Sequence, residues 1–162
     1  MKELLVVGCW LLLVFNLTGC ATVGTGATDG TDALLKTDAP LPQPPIAVIR
    51  PGPEIPPQLA AFSGAWFGRW NYQMDHLLAV EQIESPEKII AVYSFGKGFG
   101  FYPGWYRVTG RFVENKLQFQ LWPGTTVMYE IHKGTLKAFY QGNRTRSEAN
   151  MRRIDLNLIS TR

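Results

Sequence analysis

The chain has 162 residues, 16 Lys/Arg against 13 Asp/Glu and a net charge of +3, enough for one modest domain of ordinary globular composition. Its two cysteines, Cys9 and Cys20, both precede that domain, and its imidazoles are His76 and His132. A disulfide framework, a zinc site and a thiol nucleophile are therefore not expected.

Residues 1–19 carry the marks of an export signal. A short Met1-Lys2-Glu3 segment precedes a nearly unbroken apolar run from Leu4 to Phe15. A helix of that length is too short for a bilayer, which needs ~20 residues, and it fits a signal h-region. Leu17-Thr18-Gly19-Cys20 then matches a bacterial lipobox: an aliphatic residue, two small residues and the cysteine that receives lipid. The match implies cleavage before Cys20 and acylation there, giving a lipid-anchored protein of the cell envelope. Ala21 in place of Asp implies the outer membrane, facing the periplasm. Nucleic acid is not an expected partner of an exported protein, and a monomer is expected.

Residues 20–57 read as a tether. Ala21 to Lys36 lacks periodicity, and eight prolines crowd into residues 40–57. Proline fixes φ and lacks an N–H donor, which predicts neither helix nor central strand. The expectation is a semi-rigid spacer reaching on the order of 55 Å, at ~3.1 Å per residue.

Residues 58–162 form the expected domain, rich in aromatics: four of the five Trp, eight of the nine Phe and all six Tyr lie there. Gln58 to Phe62 reads as a short helical turn or a lead-in. Runs of alternating residues follow between turn signals. In the first, Trp66, Gly68, Trp70 and Tyr72 share a face. His76 to Ile83, Lys88 to Phe95, Trp105 to Val113, Lys116 to Trp122, Thr125 to His132 and Thr135 to Gln141 continue the pattern, and the last run starts near Thr145 and passes through Ile154. Eight strands with tight turns predict an all-β, small eight-stranded antiparallel up-and-down barrel; a two-sheet sandwich is the alternative.

The Gly64-Ala65-Trp66-Phe67-Gly68-Arg69-Trp70 start resembles the first strand of calycin-type barrels (lipocalins, fatty-acid-binding proteins, avidins), which open with Gly-x-Trp. That resemblance implies an Arg from the last strand packed over the Trp at the closed end, with Arg152 and Arg153 as candidates over Trp66. The chain is also similar to a small bacterial domain found in lipoproteins or attached to secreted hydrolase-type enzymes. The shared features are Leu78 to Ile83, Tyr93 to Gly96 and Pro103-Gly104; they speak for the fold and not for a ligand.

No Ser-His-Asp order or nucleophile elbow is present, and Gly96 to Gly100 lacks the helix and Lys-Ser/Thr of a phosphate cradle. Glu81 falls among apolar neighbours and must be paired or anchor something polar. It reads as an ion-pair partner of Arg107, Arg152 or Arg153, as a solvent-facing residue, or as a ligand anchor. As an acid it would need a second carboxylate, and spacing selects neither Glu130 nor Glu148. From Lys97 onward eleven Lys/Arg face four Asp/Glu, which suits either an anionic partner or a solvated surface. The expected role is a non-catalytic binding module for a small apolar or glycan-like ligand, taken at the barrel mouth by Trp70, Glu81, Tyr93 and Trp105 without a cofactor. A structural or protein-interaction lipoprotein with a solid barrel, and an envelope hydrolase or its accessory, are the other readings. Interior volume separates the first two: a pocket of ~300 Å³ or more suits a small ligand.

Overall fold

The computed structural model describes residues 34–161, so the expected signal segment and Cys20 lie outside the described residues. In chain order the elements are β1 (Leu35–Thr37), α1 (Pro57–Ala60), β2 (Gly64–Trp70), β3 (Met74–Ser85), β4 (Lys88–Phe95), β5 (Gly104–Val113), β6 (Lys116–Trp122), β7 (Thr125–His132), β8 (Thr135–Gln141), β9 (Arg146–Ile154) and β10 (Ile159–Thr161). Strands β2 to β9 make a closed antiparallel barrel in which every chain neighbour is a sheet neighbour. The sandwich alternative is thereby set aside.

Turn chemistry sets this meander. Glu114 and Asn115 both take positive φ in the two-residue β5–β6 loop, and Lys133-Gly134 does the same between β7 and β8, the geometry that matches strand twist. Pro123-Gly124 supplies a fixed φ and then a positive one between β6 and β7. Closure occurs where β2 meets β9, pairing Trp66 with Arg153 and Gly68 with Met151. A side chain on Gly68 would collide with the Asn150 carbonyl and with Met151, so the second glycine of the motif is what lets the last strand approach.

The interior is a single apolar cluster reaching from Ile55, Leu59 and Phe62 beside the start of β2 up to Trp70, Tyr93 and Phe95. Helix α1 plugs the lower end, where Phe62 meets Phe112 edge-on at 5.8 Å and its carbonyl accepts from the Trp66 indole at 2.9 Å. Of the two candidate arginines, Arg153 stands over the Trp66 ring, 4.3 Å from the centroid. It also donates to the Ser63 and Ala61 carbonyls, a geometry that combines cation–π attraction with charged hydrogen bonds. Arg152 pairs with Phe67 in register, one residue from Arg153 and therefore on the other face of β9, and it is not the closing arginine.

The proline-rich segment is not the free spacer expected over 40–57. It crosses the outside of the barrel as a strap. Thr37 Oγ1 donates to Asp75 at 2.9 Å, Ser94 Oγ to the Pro40 carbonyl at 2.6 Å, and the Ile49 amide to the Glu81 carbonyl at 2.7 Å. Leu41 and Ile46 cover an outer apolar cluster of Ala65, Leu77, Ala79 and Val92. Beside them β1 pairs in parallel with β10. A proline-rich chain suits this position because it brings few N–H donors that would need partners on a sheet already bonded. The barrel domain therefore starts before residue 58.

Candidate functional site

In an up-and-down barrel the β2–β3, β4–β5, β6–β7 and β8–β9 connections share one end. Opposite α1, that end is left open here, and it gathers aromatics. Tyr72 in the β2–β3 loop is 84% exposed, Tyr102 in the β4–β5 loop is 86% exposed, and Phe99, Phe101, Tyr106 and Trp122 are also exposed. Tyr72 and Phe99 hold φ of 63° and 50°, in the left-handed region that bulky residues rarely enter. The Tyr72 side chain thus leaves the Trp66–Trp70 face that the alternation had given it.

From the rim a column of rings descends into the barrel. Trp122 meets Tyr106 at 6.1 Å, Tyr106 meets Phe95 at 6.0 Å, Phe95 meets Tyr93 at 5.9 Å, and Tyr93 meets His76 at 4.7 Å. His76 also stacks on Trp70 at 4.7 Å. Its tautomer follows from its partners. Nδ1 donates to the Ser94 carbonyl at 2.9 Å, which leaves Nε2 bare to accept from the Tyr129 hydroxyl at 2.9 Å. Full burial, only partly offset by the Ser94 contact, lowers the His76 pKa to about 3. Burial likewise pushes the Tyr93 and Tyr129 hydroxyls well above their ordinary range.

Between rim and column lies a cavity of about 70 Å³, bordered by Trp70, Met74, Tyr93, Phe95, Tyr140 and Ser147, with Phe99, Phe101 and Trp122 around its mouth. Trp70 is 1% exposed, and its indole Nε1 is the buried side-chain polar atom left without a hydrogen-bond partner among the described residues. The nearby Tyr93 hydroxyl feels that N–H enough to temper the upward push of burial, but no hydrogen bond of ordinary geometry closes between them. A wider groove of about 430 Å³ lies outside, along β8 and β9, lined by Arg69, Lys137, Arg146 and Glu148 among others. Arg69 there is already engaged by Asp75 at 2.8 Å.

The four mouth residues expected from sequence divide evenly. Trp70 and Tyr93 border the cavity. Glu81 and Trp105 do not: both lie on the outer face. Glu81 keeps the outward parity of Leu77 and Ala79 on β3, and the register shift between Val80 and Gln82 then returns Ile83 to the core. Both its oxygens take Arg107, at 2.6 and 2.8 Å, and the Ala47 amide of the strap donates to it at 3.3 Å. The Arg107 guanidinium holds its carboxyl below the usual range, against the opposing effect of burial. Trp105 packs on the outer cluster beneath the strap. The rim aromatics were not singled out in the sequence, although the Gly-rich, aromatic stretch from Phe95 to Tyr102 carried the signal.

Among the described residues no three His, Cys, Asp or Glu side chains converge as a metal site requires, and no helix is long and apolar enough to cross a membrane. Comparison with known proteins finds no matching family model, no matching curated protein and no matching solved structure.

Proposed function

We propose that this chain is a non-catalytic binding module of the bacterial cell envelope, anchored through an acylated Cys20, that grips an extended partner from outside with the open end of its barrel. The observation that carries the reading is the contrast at that end: an interior with about 70 Å³ to spare, ringed by exposed Phe99, Phe101, Tyr102 and Trp122. Pockets that enclose a small ligand measure roughly 300–1,000 Å³, so the barrel is too full to swallow one. Clustered exposed apolar surface is the ordinary mark of a contact site. The lipobox supports the envelope location.

Co-sedimentation with the insoluble envelope fraction tests this, using the Cys20→Ser chain so that the anchor contributes nothing. Adding Phe101→Ala and Trp122→Ala should weaken sedimentation at least tenfold while leaving the unfolding midpoint in place. Equal sedimentation of the two proteins would remove the open end as the working surface.

A further inference from the structure

The cavity at the open end is small and largely apolar, yet it is bordered by Trp70, whose buried indole N–H makes no hydrogen bond of ordinary geometry. A buried N–H without an acceptor costs about 1–3 kcal/mol, and unsatisfied groups of this kind are rare enough to ask for a reason. Size limits what could answer it. An apolar cavity of about 150 Å³ takes up benzene, and a space of about 70 Å³, half of that, is too small to enclose an aromatic or hexose ring. It admits a group of a few heavy atoms.

Chemistry narrows the group further. A carboxylate or phosphate would lose its hydration in a pocket whose bordering residues include no cation, a heavy cost. A bare sugar hydroxyl could accept from Trp70, but it brings nothing to fill the apolar walls. A water molecule fits, with Trp70 and the hydroxyl-bearing Tyr93, Tyr140, Thr145 and Ser147 bordering the space, but it leaves the apolar walls of Met74 and Phe95 without contact. A ligand group that displaces such a water has to reproduce its bond to the Trp70 N–H. An acetamido group meets each condition, with a neutral carbonyl oxygen for the Trp70 N–H and a methyl for the walls. The rest of such a ligand stays outside, where Phe99, Phe101 and Trp122 surround the mouth and offer flat faces to the C–H side of a sugar ring.

We infer that the open end binds glycans carrying 2-acetamido sugars, the acetyl group entering the Trp70 cavity and the sugar rings lying across the rim aromatics. This rests on the proposed function above and names the class of its partner.

The test uses the full chain, ¹⁵N-labelled, titrated with a β-1,4 tetramer of N-acetylglucosamine and, separately, with the matching tetramer of glucose. The acetylated tetramer should move the Trp70 indole ¹H–¹⁵N resonance downfield and bind at least tenfold more tightly than the glucose tetramer. Trp70→Phe keeps an aromatic ring, though a smaller one, and removes the donor, and should erase that preference at least tenfold; the wild-type resonance decides the matter if this variant does not fold. Equal affinity for the two tetramers, or no movement of the Trp70 resonance, would overturn the inference. So would rim-dependent binding to phosphatidylethanolamine–phosphatidylglycerol vesicles, or to an envelope polypeptide, in place of the saccharide. Those outcomes leave the proposed function standing if sedimentation still depends on Phe101 and Trp122, whereas loss of that dependence fails the proposed function itself.

Discussion

At the scale of the residue, His76 is the group whose burial has a direct thermodynamic consequence. Its folded pKa of about 3 lies below the value near 6.5 of an unfolded histidine. Between those values the unfolded chain binds a proton that the folded one refuses, so stability falls as the pH falls. The penalty is absent well above pH 6.5 and grows by about 1.4 kcal/mol per unit below it. Urea unfolding between pH 8 and pH 5 should therefore show a loss of about 2 kcal/mol from this group. His76→Gln should flatten the profile in that window, whatever it does to stability at pH 8. An unchanged slope would mean that the imidazole is protonated inside the barrel.

At the scale of the element, the strap and the barrel differ in how far the sequence disclosed them. All eight barrel strands were legible, because most carry a clear alternation and turn residues set them apart. The strap was not, since a free polyproline spacer and one folded onto a sheet have the same composition. What separates them is written elsewhere, in Leu77-Leu78-Ala79-Val80. A strand apolar on both faces needs cover on both, and Leu41 and Ile46 provide it on the outside. The face of Trp105 was ambiguous for a related reason: Tyr106 beside it is aromatic too, and alternation cannot say which of two adjacent rings points in. Glu81 was legible as an ion-pair partner of Arg107; the bulge beside it, which moves Ile83 to the core face, leaves no mark in the residue pattern. The orphan N–H of Trp70 depends on packing in three dimensions and had no sequence signal.

This gives a prediction about boundaries. A fragment of residues 34–162 should unfold with the midpoint of the full chain. A fragment of residues 58–162 should be less stable by about 3 kcal/mol or more, because two or more apolar side chains lose their cover at ~1.5–3 kcal/mol each. Equal urea midpoints would show the strap to be ornamental.

At the scale of the whole molecule, folding the prolines into the strap shortens the spacer. Between Cys20 and the described residues lie residues 21–33, which can span at most ~45 Å at ~3.4 Å each. Replacing Cys20 with Ser should release the protein from the membrane fraction into the soluble periplasmic one on cell fractionation. Retention in the membrane fraction would point to another means of attachment.

The pairing of β2 with β9 and of β1 with β10 joins stretches separated by most of the described sequence. Neither pair can form until β9 and β10 are present, and ring closures of this span are slow because chain entropy is lost before any contact repays it. A chain emerging N-terminus first thus has no early resting place: the strap waits for the strands beneath it, and β2 keeps a bare edge until β9 arrives. For the export proposed above, this order would keep the chain threadable through a narrow conduit, the barrel locking shut only once its last strands had passed.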